Sequence, residues 1–199
     1  MKVLIACEFS GVVRREFVKI GVDAYSCDLL PSDDQSDKHI IGNVLDILNE
    51  GWDLMIAHPP CTRLCVSGVR WLNNPPKNKT LEELWNELDE STEFFNKILM
   101  APILKKAIEN PIMHKYAKER IKNYFPYSQI IQPWQFGHGE TKATCLWLNN
   151  LPLLKPTNIV EGRKSRVKNE YPGRDRWKRR SITYQGIAEA MANQWGRKS

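Results

Sequence analysis

Residues 53–61 read Asp53-Leu54-Met55-Ile56-Ala57-His58-Pro59-Pro60-Cys61, an apolar run closed by a double proline and a thiol. The run reads as a buried strand bounded by a turn. Pro59 and Pro60 fix φ and remove two backbone donors, so Cys61 stands on a stiff elbow at the carboxyl edge of that strand. In open α/β sheets this edge is where ligands bind and chemistry is done. A buried structural cysteine beside a turn is the plainer reading of Cys61 taken alone.

Outward from this elbow, strand and helix patterns alternate. Val3-Leu4-Ile5-Ala6 reads as a short buried strand, followed by a turn at Glu8-Phe9-Ser10-Gly11. Residues 12–20 carry helical spacing, with Val13, Phe17 and Ile20 on one face and Gly21 as the stop. Residues 23–28 suggest a second strand ending in Asp28, and residues 31–38 a polar loop. Val44 to Ile47 reads as a short connecting segment before the strand at 53–57. The stretch 80–100 predicts a long helix with Thr80 as N-cap and Glu83 in capping-box position. Pro102 is expected to divide it before residues 104–108 lead into a turn at Glu109-Asn110-Pro111. Residues 127–132 and 143–148 are strand candidates around a glycine-containing loop, forming a late antiparallel hairpin. Residues 182–195 close the chain as an amphipathic helix with Ile187, Ala190, Met191 and Trp195 toward the core. The alternation predicts an α/β fold whose mostly parallel sheet is covered on both faces.

At 199 residues the chain suits one buried core, so residues 1–199 are read as a single domain. No apolar run approaches the roughly 18 residues of a membrane span, and no leader pattern is visible. Five cysteines without framework spacing favour a reduced, cytoplasmic chain. The net charge of +6 is concentrated between Lys155 and Arg180, where ten Lys and Arg face only Glu161, Glu170 and Asp175. Such a segment is the footprint of a polyanion partner, or else a solvated surface loop. Candidate nucleic-acid contacts there are Arg163, Lys164, Arg166, Lys168, Arg174, Arg176, Trp177, Lys178, Arg179 and Arg180.

The chemistry-bearing features fall in order at the ends of predicted strands: Phe9-Ser10-Gly11, Asp28, Asp46 and the Pro-Pro-Cys elbow. A glycine turn after the first strand admits a cofactor to the backbone, and an acid ending the second accepts ribose hydroxyls. In this order the chain resembles the cytosine-C5 DNA methyltransferases. Phe9-Ser10-Gly11 matches their first motif, Pro59-Pro60-Cys61 their nucleophile motif, and Glu109-Asn110 the first two positions of their Glu-Asn-Val motif. Phe136-Gly137 through Lys142 is similar to a later motif that places a basic residue on a strand. The resemblance covers about residues 1–150.

It implies a Rossmann-like S-adenosylmethionine-dependent methyltransferase fold, with Phe9, Ser10, Gly11, Asp28, Asp46 and Pro59 near the cofactor. It further implies Cys61 as nucleophile at C6 of the base, Glu109 as acid at N3, Asn110 as a support of the elbow and Lys142 as a charge near the base. No metal is implied. A thiolate is the attacking form, and the base must be flipped out or single-stranded to be reached. The chain departs from the family in two ways. Val12, Val13 and Arg14 follow Gly11 where further glycines are usual. The 35 residues from Asn149 to Thr183 stand in place of a target-recognition domain. This basic, irregular segment with Tyr171 and Trp177 suits phosphate contact and base stacking. It is too short to read several base pairs, so the expected partner is DNA of low sequence specificity or single-stranded, or DNA recognised through a separate subunit. A pyrimidine nucleotide or RNA substrate, and a catalytically inactive nucleic-acid-binding relative, remain the alternatives.

Overall fold

Val3 and Ile5 point to one side of the first strand and Leu4 and Ala6 to the other, and all four are fully buried. A strand apolar on both faces belongs at the centre of a sheet covered twice, and the computed structural model, which describes residues 1–166 and 169–197, has that arrangement. The elements run β1 (Lys2–Ala6), α1 (Val12–Lys19), β2 (Asp23–Asp28), β3 (His39–Ile41), β4 (Leu54–Ala57), α2 (Val66–Val69) and α3 (Leu81–Leu99). They continue as β5 (Lys105–Pro111), α4 (Lys115–Arg120), β6 (Gln129–Ile131), β7 (Thr144–Asn149), α5 (Arg176–Ser181) and α6 (Gln185–Trp195).

The seven strands form one sheet in the order β3-β2-β1-β4-β5-β7-β6. Strands β1 to β5 pair in parallel, while β7 runs antiparallel to both β5 and β6. This is the mostly parallel α/β sheet with a late antiparallel hairpin expected from the sequence. On one face α1 and α6 bring Val13, Phe17, Ile187, Met191 and Trp195 onto Val3, Ile5, Leu54 and Ile56. On the other, α3 packs Leu84, Leu88, Phe95 and Ile98 against Leu4, Met55 and Trp147. Among the described residues no helix is long and apolar enough to cross a membrane.

The helix ends follow their side chains. Thr80 accepts from the Glu83 amide at 3.1 Å, and Glu83 accepts from the Thr80 amide at 2.7 Å, the reciprocal box expected of α3. Pro102 does not divide that helix, which ends at Leu99 before the proline is reached. The buried Lys106 ammonium caps this end, donating to the carbonyls of Leu99 at 2.8 Å and Ala101 at 2.7 Å; its burial lowers the Lys106 pKa.

The expectation of a turn at Glu109-Asn110-Pro111 is corrected, because these residues complete β5. The pairing of β4 stops at Ala57 opposite Ile108. The last three residues instead lie opposite Leu146, Cys145 and Thr144 of β7, which supplies the backbone partners a turn would otherwise provide. Lys142 precedes β7 and is not on it. The segment from Asn149 to Thr183 contains a helix, α5, and β3, α2 and α4 were not anticipated either.

Candidate active site

β1 and β4 are neighbours from which the chain departs in opposite directions across the sheet, so a crevice opens beyond their carboxyl ends. The turn at 7–11 forms one wall and the His58–Cys61 elbow the other, tied by the His58 amide to the Ala6 carbonyl at 2.9 Å. Cys7 adopts a left-handed φ of 58°, which turns Glu8 back under α1. The Glu8 carboxylate accepts from the amides of Val13 at 2.6 Å and Arg14 at 3.3 Å. Burial pushes the Glu8 carboxyl up, opposed by the charge of His58 and by those two amides.

Gly11 also needs its left-handed φ of 66°, and a Cβ there would meet Arg14 Nη2 at 2.6 Å. Arg14 thus fills the space beside this turn. Its guanidinium donates to Ser26, Ser36 and Asp34, and Arg15 donates to the Ser10 carbonyl and to Asp34. Burial of Asp34 is outweighed by its bonds from Ser32, Arg15 and Arg14, which hold its carboxyl well below the usual range.

The elbow continues as a tight turn in which the amides of Leu64 and Cys65 both donate to the Cys61 carbonyl at 3.0 Å. This places Cys65, buried, beneath the half-buried Cys61. A bond between the two sulfurs, followed by burial and the charge of Glu109, pushes the Cys61 thiol up, while Lys142 opposes. The same bond, with the Ser67 hydroxyl and the amides of Gly68 and Ser67, draws Cys65 down to about 5 against its burial. Cys65 Sγ lies 3.1 Å from Ser67 Oγ. The Cys61 thiol thus shares its proton with a Cys65 sulfur that takes the charge first, and the titration belongs to the pair. Gly68 lets the next turn approach, since a Cβ on it would stand 2.2 Å from the Thr62 carbonyl oxygen.

The extended end of β5 brings in the carboxylate. Asn110 is fully buried and its Nδ2 donates to the Pro59 carbonyl at 3.5 Å, steadying the elbow. Glu109 Oε2 lies 4.0 Å from Nδ1 of His58. Lys142 reaches the same region, its Nζ donating to the Arg180 carbonyl at 3.0 Å. Cys61, Glu109 and Lys142, singled out in the sequence, thus act on one another electrostatically, and Asn110 braces the elbow that carries Cys61.

Of the residues expected near a cofactor, Phe9, Ser10 and Pro59 are buried along the crevice walls. Asp28 ends β2 and accepts from the Leu30 amide at 3.0 Å, whereas Asp46 is exposed on a 3-10 turn at Val44–Ile47. The basic segment reaches this crevice through α5: Trp177 meets Phe9 edge-on at 5.9 Å, and Lys178 Nζ lies 5.9 Å from the same ring. Its charges are in part spent within the chain. Arg166 pairs with Glu140 at 2.9 Å, Arg179 with Glu170 at 2.7 Å, and Arg176 donates to the Glu170 carbonyl. Arg163 stacks on Trp134 at 4.0 Å, Lys164 and Arg174 are exposed, and Arg180 buries its Nε without a partner. Lys168 lies outside the described residues. Sequence reasoning missed the roles of His58, Cys65 and Glu8; the four-residue spacing of Cys61 and Cys65 was the one visible signal.

The strand order, with a crevice at the switch point, defines the class: this is the α/β methyltransferase fold. No protein-family model and no curated protein matches the chain. The methyltransferase EhMeth of Entamoeba histolytica superposes with a TM-score of 0.50 at 14% identity, over 87% of this chain and 60% of that one. A protein encoded within an E. coli prophage and described as a DNA modification methyltransferase gives 0.44 at 13% identity, over 81% and 52%. A DNMT2 of Spodoptera frugiperda gives 0.36 at 13%, over 83% and 54%. The chain spans between 52% and 60% of the length of these solved proteins.

Proposed function

We propose that this chain is an S-adenosylmethionine-dependent methyltransferase that acts at C5 of cytosine, on single-stranded DNA. The observation that carries the reading is the meeting of Cys61, Glu109 and Lys142 at the carboxyl edge of the sheet, beside the turn after β1. C5 of cytosine is too weak a nucleophile to react until the ring is activated. Cys61 supplies that activation by adding to C6, giving its proton to the Cys65 thiolate as it attacks. Glu109 gives its proton to N3 as negative charge builds on the ring. Lys142 offsets that charge, and Asn110 fixes the elbow through Pro59. Loss of the C5 proton and expulsion of Cys61 close the cycle.

The chemistry of the crevice fits the cofactor. Asp28 and Asp46 suit ribose hydroxyls and an amino group, Glu8 an ammonium, and Phe9, Ser10, Gly11 and Pro59 form the surrounding walls. Its contribution is a methyl group on a sulfonium sulfur, an electrophile for an activated carbon. Arg14 narrows the turn relative to the family pattern, so binding is expected to lean on the acids more than on bare backbone.

The substrate form follows from α5 and its surroundings. Tyr171 and Trp177 are 82% and 54% exposed among basic residues, a stacking surface for unpaired bases. The decisive experiment incubates the protein with S-adenosylmethionine and 5-fluorocytosine DNA, single- and double-stranded, and reads intact mass. A trapped adduct that vanishes in Cys61→Ser upholds the reading, and preference for the single strand upholds the substrate form. Cofactor binding without any adduct on DNA turns the assignment to RNA or nucleotides. Absence of cofactor binding as well points to an inactive nucleic-acid-binding protein.

A further inference from the structure

His58 has no part in the mechanism above, yet it is the most unusual side chain of the elbow. It is 10% exposed, and both ring nitrogens are buried without a hydrogen-bond partner. Burying an imidazole unpaired is destabilising, so its place is not explained by packing. Two carboxylates flank the ring. Glu109 Oε2, on the extended end of β5, stands 4.0 Å from Nδ1. Glu8, after β1, interacts with it electrostatically and is itself beside Arg14. Glu109 and Lys142 in turn act electrostatically on Cys61. Imidazole is the side chain suited to exchanging a proton near neutrality.

We propose that His58 is a positioning residue that shares a proton with Glu109 and recharges it during ring activation. This rests on the cytosine reading of the site. As Cys61 sulfur bonds to C6, the C5–C6 π pair shifts toward C4 and the N3–C4 pair settles on N3. N3 takes a proton from Glu109 as Oε2 takes the Nδ1 proton of His58, so one shared proton moves to the base and the pair is left as a carboxylate and a neutral imidazole. Release of the base runs the same transfers backward, returning the N3 proton through Glu109 to His58. No oxidant or further reactant is needed. The 4.0 Å gap exceeds a hydrogen bond by about 1 Å, a distance closed by a small ring movement or one bridging water.

Two measurements test this without a methyl donor. The first follows the ring nitrogens of His58 by NMR through a pH titration, in the wild type and in Glu109→Gln. Removing the carboxylate is expected to move the Nδ1 resonance, whose proton faces Oε2; an unchanged resonance overturns the sharing. The second follows exchange of the cytosine C5 hydrogen with solvent on single-stranded DNA, across about pH 5 to 9. The wild-type rate is expected to fall on the alkaline side. His58→Gln is expected to slow exchange about tenfold or more and to abolish that alkaline fall. His58→Asn serves beside it should the glutamine variant not fold. Wild-type rate and profile in a folded variant overturn the proposal while leaving the cytosine reading intact. A wild type that exchanges no cytosine hydrogen refutes that reading instead, and the NMR arm alone then upholds or overturns the proton sharing.

Discussion

Replacing Cys65 by serine isolates what the second sulfur does for the first. In the wild type the charge rests on Cys65, which Cys61, Ser67 and two amides draw down to about 5, and Cys61 is the thiol that donates to it. Serine keeps the shape but cannot hold that charge. Cys61 then titrates alone: it loses the bond to Cys65 that most raises it, and keeps burial and Glu109 against Lys142. A lone thiol starts from about 8.5, and burial moves it higher. The expected displacement of the Cys61 midpoint is therefore downward, by about one unit or more, because the largest raising contact is gone. The assay is iodoacetamide alkylation of Cys61, mapped by peptide mass across a pH series and scored by the midpoint of the rate profile. The midpoint is the proper readout, because a thiolate of low pKa is also a weaker nucleophile and rates at one pH partly cancel. A midpoint in Cys65→Ser within about half a unit of wild type would refute the shared-proton account.

Three further outcomes follow from other contacts. Gly68→Ala sets a Cβ 2.2 Å from the Thr62 carbonyl, so the loop bearing Cys61 must shift; urea unfolding should show a loss of about 1–3 kcal/mol and fluorocytosine trapping a drop of about tenfold or more. Asp34→Asn leaves the buried Arg14 guanidinium without its carboxylate, costing about 2–3 kcal/mol after allowance for the partial exposure of Asp34. The sign is that of a depressed acid: the stabilisation is complete above the unfolded carboxyl pKa and fades as pH falls below about 4, so wild type and variant should converge in acid denaturation. Trp177→Ala removes an exposed ring beside Phe9 and should weaken single-stranded DNA binding by about 1–3 kcal/mol, read by fluorescence anisotropy.

The parts of this molecule that could be read from the sequence are those set by neighbours along the chain. The apolar strands β1, β2 and β4, the box at Thr80 and Glu83, and the apolar stripe of α6 are local patterns, and each formed. β3 did not announce itself, because His39–Ile41 is a three-residue, half-exposed edge strand. α5 buries none of its residues and owes its position to Trp177 meeting Phe9, some 168 positions away. Glu-Asn-Pro looked like a turn because its real partners, Thr144 to Leu146, lie more than thirty residues downstream. The site divides in the same way. Cys61 and Glu109 were visible as residue types in order, whereas the approach of His58 to Glu109 depends on the register of β4 against β5. The Cys61–Cys65 bond depends on the closure of a turn that no composition specifies.

The support of Glu109 also fixes when the site can exist. Ile108 is the last β5 residue backed by β4, so the acid and its asparagine lean wholly on β7. A ribosome making this chain finishes the thiol elbow long before it makes the strand that braces the acid. The backbone bracing of the proposed acid is therefore complete only when β7 lies in the gap between β5 and β6.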